Sequence, residues 1–172
     1  MTKILIADAD VITLDGESRV LRGADIAIAG GRIVALGKAP PDFAPDETID
    51  GTNRVVMPGF FNAHTHSPMT LVRGWADDLP LDRWFNERIW VSESALVEED
   101  IYWGAALAVA EMIRGGTVGF ADHYFWMDRV AEVVEQAGLR ATLAWCVFGP
   151  VSYTHLRAHE TRHDLVCRLL LE

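Results

Sequence analysis

The stretch Val55-Val56-Met57-Pro58-Gly59-Phe60-Phe61-Asn62-Ala63-His64-Thr65-His66-Ser67-Pro68 decides how the rest of the chain is read. It opens as a short apolar, β-branched run, is broken at Pro58-Gly59, and ends in two histidines one residue apart. Alternate residues of a β-strand point to the same face. His64 and His66 therefore aim two imidazoles into one space, as a metal site requires. Neutral imidazole suits Zn, Fe or Ni, and two histidines leave coordination positions for further ligands. The competing reading is a His-x-His in a surface loop, which any chain can produce. The apolar run that leads into the pair favours the strand.

Pro-Gly-Phe-Phe-Asn-Ala-His-Thr-His, after a β-rich leader, resembles the first barrel strand of the amidohydrolase superfamily. The continuation Ser67-Pro68-Met69-Thr70-Leu71-Val72-Arg73-Gly74-Trp75-Ala76-Asp77-Asp78-Leu79-Pro80-Leu81 is similar to one branch of it. That branch holds S-adenosylhomocysteine/methylthioadenosine deaminases, guanine deaminases and triazine chlorohydrolases. The resemblance covers the chain from about residue 3 to residue 149.

Composition narrows the partners. The chain has 172 residues, 50% of them hydrophobic and 23% charged, as in an ordinary globular protein with room for one or two domains. A net charge of −10 without a Lys/Arg cluster argues against nucleic acid or an anionic membrane as a partner. Lys3 is followed by only a brief apolar run before Asp8 and Asp10, so no signal peptide is predicted, nor any membrane span. A cytoplasmic location is expected, with Cys146 and Cys167 as two unpaired thiols.

Residues 3–36 read as strands: Ile4 and Ile6, then Val11, Ile12 and Leu14, then Ile26 and Ile28, a tight turn at Gly30-Gly31, and Ile33-Val34. Pro40, Pro41 and Pro45 mark a loop. Beyond the histidines the pattern becomes strand–helix alternation. Helices are predicted over Leu81 to Trp90, with Pro80 at its start, over Glu98 to Arg114, and over Asp128 to Ala137. Strands are predicted over Thr117 to Tyr124 and Arg140 to Phe148, which together argue a parallel α/β sheet. The resemblance implies a fold class: an α/β fold made of about three of the eight βα units of a metal-dependent hydrolase TIM barrel, preceded by the N-terminal half of a β-sandwich. The domains expected are 1–54 for the partial sandwich, 55–150 for the barrel units and 151–172 for a non-native tail.

That tail, from Val151 to Thr161 and from Asp164 to Glu172, resembles the in-frame translation of a transposon-type sequencing adapter interrupted by an index. Its composition is compatible with a helix, on which His155, His159 and His163 would share one face. Read as an adapter, they carry no function.

The resemblance also implies the chemistry. His64 and His66 would be two ligands of a divalent metal, Zn or alternatively Fe, with an open position for water whose pKa falls toward neutrality. In the branch, two further His, an Asp and a proton-shuttling Glu sit on later strands, which here would lie beyond Gly149. Glu93 matches a carboxylate that binds substrate in the nucleoside-deaminating members. The alternative for Glu93 is a surface residue near a helix start. Trp75, Trp84 and Trp90 are candidates for a base-binding mouth or for packing. Asp122-His123 lies at a strand end, where barrel sites form. The branch commonly has Asp-Met-Tyr there, so His123 is a departure. Trp145 stands where the branch's adenosine deaminases place an Arg. The expected parent is a cytoplasmic deaminase that acts by metal-bound hydroxide on a small heterocyclic amine, a purine nucleoside or a relative, and it could assemble as a homo-oligomer. Guanine deamination and dechlorination are the in-class alternatives; an inactive fragment is the other.

Overall fold

A computed structural model describes residues 1–146 and 168–171. The chain divides into two compact units, Met1–Pro58 and Gly59–Glu172. Among the described residues no helix is long and apolar enough to cross a membrane.

The first unit is one sheet. Strands β1 (Lys3–Ile12), β2 (Val20–Ala29) and β3 (Arg32–Gly37) form an antiparallel meander, and β4 (Glu47–Asp50) and β5 (Val55–Val56) both run parallel to β1. The β2–β3 turn needs positive φ at both central residues, which Gly30 (58°) and Gly31 (74°) supply without a Cβ clash. Ala9, Val11, Ala24 and Ile26 form the buried core of this sheet.

The second unit alternates strands and helices, as predicted. Strand β6 (Phe60–Thr65) is followed by a 3-10 helix, Ser67–Val72, and then by a helical run over residues 81–93. That run consists of α1 (Leu81–Arg83), a π-helical segment Trp84–Ile89, and α2 (Trp90–Glu93). Next come α3 (Glu98–Arg114), β7 (Thr117–Tyr124), α4 (Met127–Ala137), β8 (Arg140–Trp145) and β9 (Arg168–Leu171). The sheet order is β6-β7-β8-β9; the first three strands are parallel and β9 is antiparallel to β8.

Local chemistry explains the helices. Asp100 accepts a hydrogen bond from the Val97 N–H at 2.9 Å, and Glu98, Glu99 and Asp100 put negative charge at the positive end of α3. Ile101, Ala105 and Ala108 form the buried face of α3; Val130, Val133 and Val134 do the same for α4, which ends at Gly138 in the left-handed conformation. Ile101, Ala105 and the three valines make one core with Phe120, Met127 and Leu143 between helices and sheet.

Three expectations change. Val55–Val56 does not run on into the histidines. It pairs with Asp10 and Val11 of β1, and the histidine strand starts afresh at Phe60, whose N–H donates to Gly116 at 2.9 Å. Pro58-Gly59 breaks the strand between them, because proline cannot donate to a ladder. The helix predicted to stop at Trp90 continues to Glu93, with its middle turn widened to π and its aromatics in edge contact, Trp84 on Phe85 at 4.8 Å. Residues 168–171 of the tail form a strand, not a helix: β8 would otherwise present an unpaired edge, and the Arg168-Leu169-Leu170-Leu171 backbone pairs with it. Phe148 and Cys167 lie outside the described residues, and Cys146 is a free thiol.

Gly104 of α3 lies against the 3-10 helix that follows His66. A Cβ there would fall 2.5 Å from the Pro68 carbonyl oxygen and 3.0 Å from Pro68 Cα. Thr70 Oγ1 also donates to the Gly104 carbonyl at 2.7 Å, fixing the close approach. Alanine gains about 1 kcal/mol of helix propensity over glycine. The obstructing atoms are backbone, so the overlap outweighs that gain. Gly104→Ala is expected to destabilise the chain by about 1–2 kcal/mol, read as a lower urea midpoint at unchanged slope.

Candidate functional site

The strand argument for the histidines holds in three dimensions. His64 sits near the end of β6 and His66 one residue past it, with ring centroids 5.1 Å apart and planes at 78°. His66 leads into the 3-10 helix, and the next residue is tied to β7. Buried Asp122 accepts hydrogen bonds from the Ser67 N–H, at 3.2 and 3.3 Å to its two oxygens, and from the Ser67 hydroxyl. Burial raises the Asp122 pKa, while the Ser67 hydrogen bonds oppose that rise. Asp122, 5% exposed, therefore locks the turn after the histidines.

His123 faces the other way on β7 and meets His66. The rings stack with centroids 4.6 Å apart and planes at 23°. Nδ1 of His66 lies 2.9 Å from the His123 carbonyl oxygen and 3.1 Å from His123 Nδ1. A carbonyl only accepts, so Nδ1 of His66 is the donor in that contact. A metal-ligating imidazole takes this form, with its other nitrogen anchored on an acceptor. His64 and His66 thus fit a divalent metal. Among the described residues no group of three or more His, Cys, Asp or Glu is placed to hold one.

Glu93 ends α2 and is half-buried, which corrects the alternative of a surface carboxylate near a helix start. Tyr124 donates its hydroxyl to Glu93 Oε1 at 2.8 Å. Burial pushes the Glu93 carboxyl up, opposed by the Tyr124 hydroxyl and by His66. Burial, joined by the bond to Glu93, also pushes the Tyr124 phenol up, so Tyr124 stays a donor. Both residues line a cavity of about 310 Å³ with His66, His123, Trp84 and Trp90. Met69, Phe85, Ile89, Phe125 and Cys146 complete its largely apolar wall. Such a cavity can stack a planar heterocycle and offer one carboxylate to hydroxyl donors.

Of the three tryptophans that were candidates for a base-binding mouth or for packing, Trp84 and Trp90 line the cavity, whereas Trp75 carries the Arg88 guanidinium over its ring at 5.6 Å. Trp145 is opposite Tyr124 in the β7–β8 register. Sequence reasoning passed over Tyr124 and Cys146. Tyr124 could have been found, since it completes the Asp122-His123-Tyr124 strand end; Cys146 had no signal beyond following β8.

Parallel strands that deliver polar side chains to their C-terminal ends, with helices packed on one face, are the arrangement of βα-barrel enzymes. The chain belongs to the amidohydrolase family, whose model matches residues 55–169. Over 152 residues it is 50% identical to a 5-methylthioadenosine/S-adenosylhomocysteine deaminase of Pelotomaculum thermopropionicum, covering 87% of this chain and 35% of that protein. A 5'-deoxyadenosine deaminase of Methanosarcina barkeri is 46% identical, with 83% of this chain and 33% of that one covered. Among solved structures, an adenosine deaminase from Xanthomonas campestris with bound zinc superposes with a TM-score of 0.75 at 41% identity, covering 81% and 33%. The chain spans about a third of the length of these relatives.

Proposed function

We propose that the whole protein deaminates a purine nucleoside, replacing an exocyclic amine with oxygen from water and releasing ammonia. The observation that carries this reading is the Glu93 carboxylate, held by Tyr124 inside an aromatic-walled cavity that also contains His66. The purine would lie against Trp84 and Trp90. Glu93, with one oxygen engaged by Tyr124, has the other to accept ribose hydroxyls. His64 and His66 would hold a divalent metal, for which the zinc bound in the Xanthomonas relative makes Zn the first choice. When bound, the metal supplies Lewis-acid activation of the attacking water. From Gly59 on, the chain reads as the first βα units of a TIM barrel, the pair Val55–Val56 belonging to the first unit. The first unit reads as half of a β-sandwich, supported by the exposed apolar side chains of Ile33, Val34 and Val55, which call for a covering layer. Residues 151–172 read as a tail foreign to the enzyme.

On this reading Glu93 binds and does not transfer protons. Glu93→Gln keeps the acceptor for Tyr124 and loses the charge, so KM for adenosine derivatives is expected to rise by the equivalent of roughly 1–3 kcal/mol. Turnover at saturation stays close to wild type. Steady-state kinetics on nucleosides and on free purine bases check this. A loss confined to nucleosides supports the ribose contact, whereas an equal fall of kcat on every substrate assigns Glu93 to the chemistry and overturns it.

A further inference from the structure

We infer that Tyr124 is a positioning residue for Glu93: its hydroxyl fixes where the carboxylate stands, and so how strongly the site prefers a sugar with a ribose diol over one without it. The inference rests on the reading of Glu93 as the group that accepts ribose hydroxyls, and it makes that preference a property of two residues on different elements.

The two partners differ in how firmly the chain holds them. Glu93 is the last residue of α2, a helix of four residues with no fully buried side chain. A glutamate there has several rotamers open to it, and only a contact can select one. Tyr124 belongs to the core instead. It is 4% exposed on β7, clusters with Phe120, Met127 and Leu143, and its carbonyl accepts the Cys146 N–H at 2.8 Å. Its ring is held by that packing, with the hydroxyl 2.8 Å from Glu93 Oε1. The firm donor sets the loose acceptor. The same ring lies 6.2 Å from the His66 ring, centroid to centroid, so one packed side chain spaces the histidine from the carboxylate. A nucleoside likewise holds its reacting base and its ribose diol at a fixed separation. A carboxylate free to swing would meet the diol only part of the time, and binding would carry the entropy of ordering it.

The test is a ratio. Turnover of adenosine and of dideoxyadenosine, which lacks the ribose diol, by the whole protein gives kcat/KM with and without the hydroxyls that Glu93 would accept. Tyr124→Phe keeps the ring and removes the anchor. It is expected to lower the preference for adenosine by about fivefold or more, with a larger change in KM than in kcat. Both substrates meet the same preparation, so any loss of folded protein cancels, and a merely structural role for Tyr124 would leave the ratio unmoved. In a Glu93→Ala background the same substitution is expected to change the ratio by less than about twofold, because the group it acts through has gone. An unchanged ratio in Tyr124→Phe, beside one that Glu93→Ala lowers, overturns the inference and leaves Glu93 in its ribose role. So do effects of the two substitutions that simply add. A ratio that Glu93→Ala leaves at the wild-type value removes the ribose contact itself, and the inference falls with it.

Discussion

Replacing His66 with alanine in the whole protein is expected, on the proposed reading, to remove the metal and to lower turnover by more than about a thousandfold, because the ion would be what brings the pKa of the attacking water down. His64→Ala should act through the same loss. Two imidazoles whose centroids lie 5.1 Å apart on one strand end cannot substitute for each other, since each would supply a separate coordination position. His66 carries a second burden that His64 does not. Its Nδ1 is anchored on the His123 carbonyl, and its ring forms one wall of the cavity that contains Glu93. His66→Ala should therefore also weaken binding of a non-reacting nucleoside analogue, whereas His64→Ala should leave that binding closer to wild type. Elemental analysis for metal per chain, steady-state turnover and analogue titration together decide it. Stoichiometric metal retained by either variant, with turnover within about tenfold of wild type, would sink the assignment.

The parts of this site that could be read in the sequence are those governed by short-range periodicity. His64 and His66 had to come close together if the chain was extended there, and their ring centroids lie 5.1 Å apart, although His66 falls one residue past β6. The end of α3 and the start of β7 were legible at the Gly115-Gly116 stop between them. Glu93 was found through resemblance alone, since nothing in its local sequence announces a binding residue. Its structural place could not be anticipated either. The π turn over Trp84–Ile89 arises in a segment crowded with aromatics, and it carries the helix on to residue 93. The fate of Val55–Val56 was hidden for a different reason. Two β-branched residues satisfy any strand, and only the parallel partner offered by Asp10 and Val11 decides which. The contact of His123 with His66 spans 57 positions and depends on the parallel register of β6 and β7, in which Thr65 pairs with Asp122. No local pattern encodes that register. Where an interaction depended on neighbours within a few residues the sequence sufficed; where it depended on which strand lay alongside, it did not.

Phe120 gives the largest expected effect on stability. It lies on β7, the strand flanked by β6 and β8, and is 0% exposed in the core with Ile101, Val109, Met127, Val130 and Leu143. Its backbone is in register with Asn62 on one side and Ala141 on the other, so the surrounding strands are held by ladders and cannot close on a void. Phe120→Ala is thus expected to lose the ring's transfer free energy and leave most of a cavity, at a cost of about 3–5 kcal/mol. That is a large share of the roughly 5–15 kcal/mol that holds a typical domain together. Val118, on the same strand but 44% exposed, is the internal control: truncating it to alanine should cost about 0.5 kcal/mol or less. Urea unfolding of both variants, followed by fluorescence and by circular dichroism, measures the difference. A Phe120→Ala loss no larger than that of Val118→Ala would mean that the sheet and its helices do not share one packed core, and that the strand ends presenting His66, His123 and Tyr124 are held by something other than the packing beneath them.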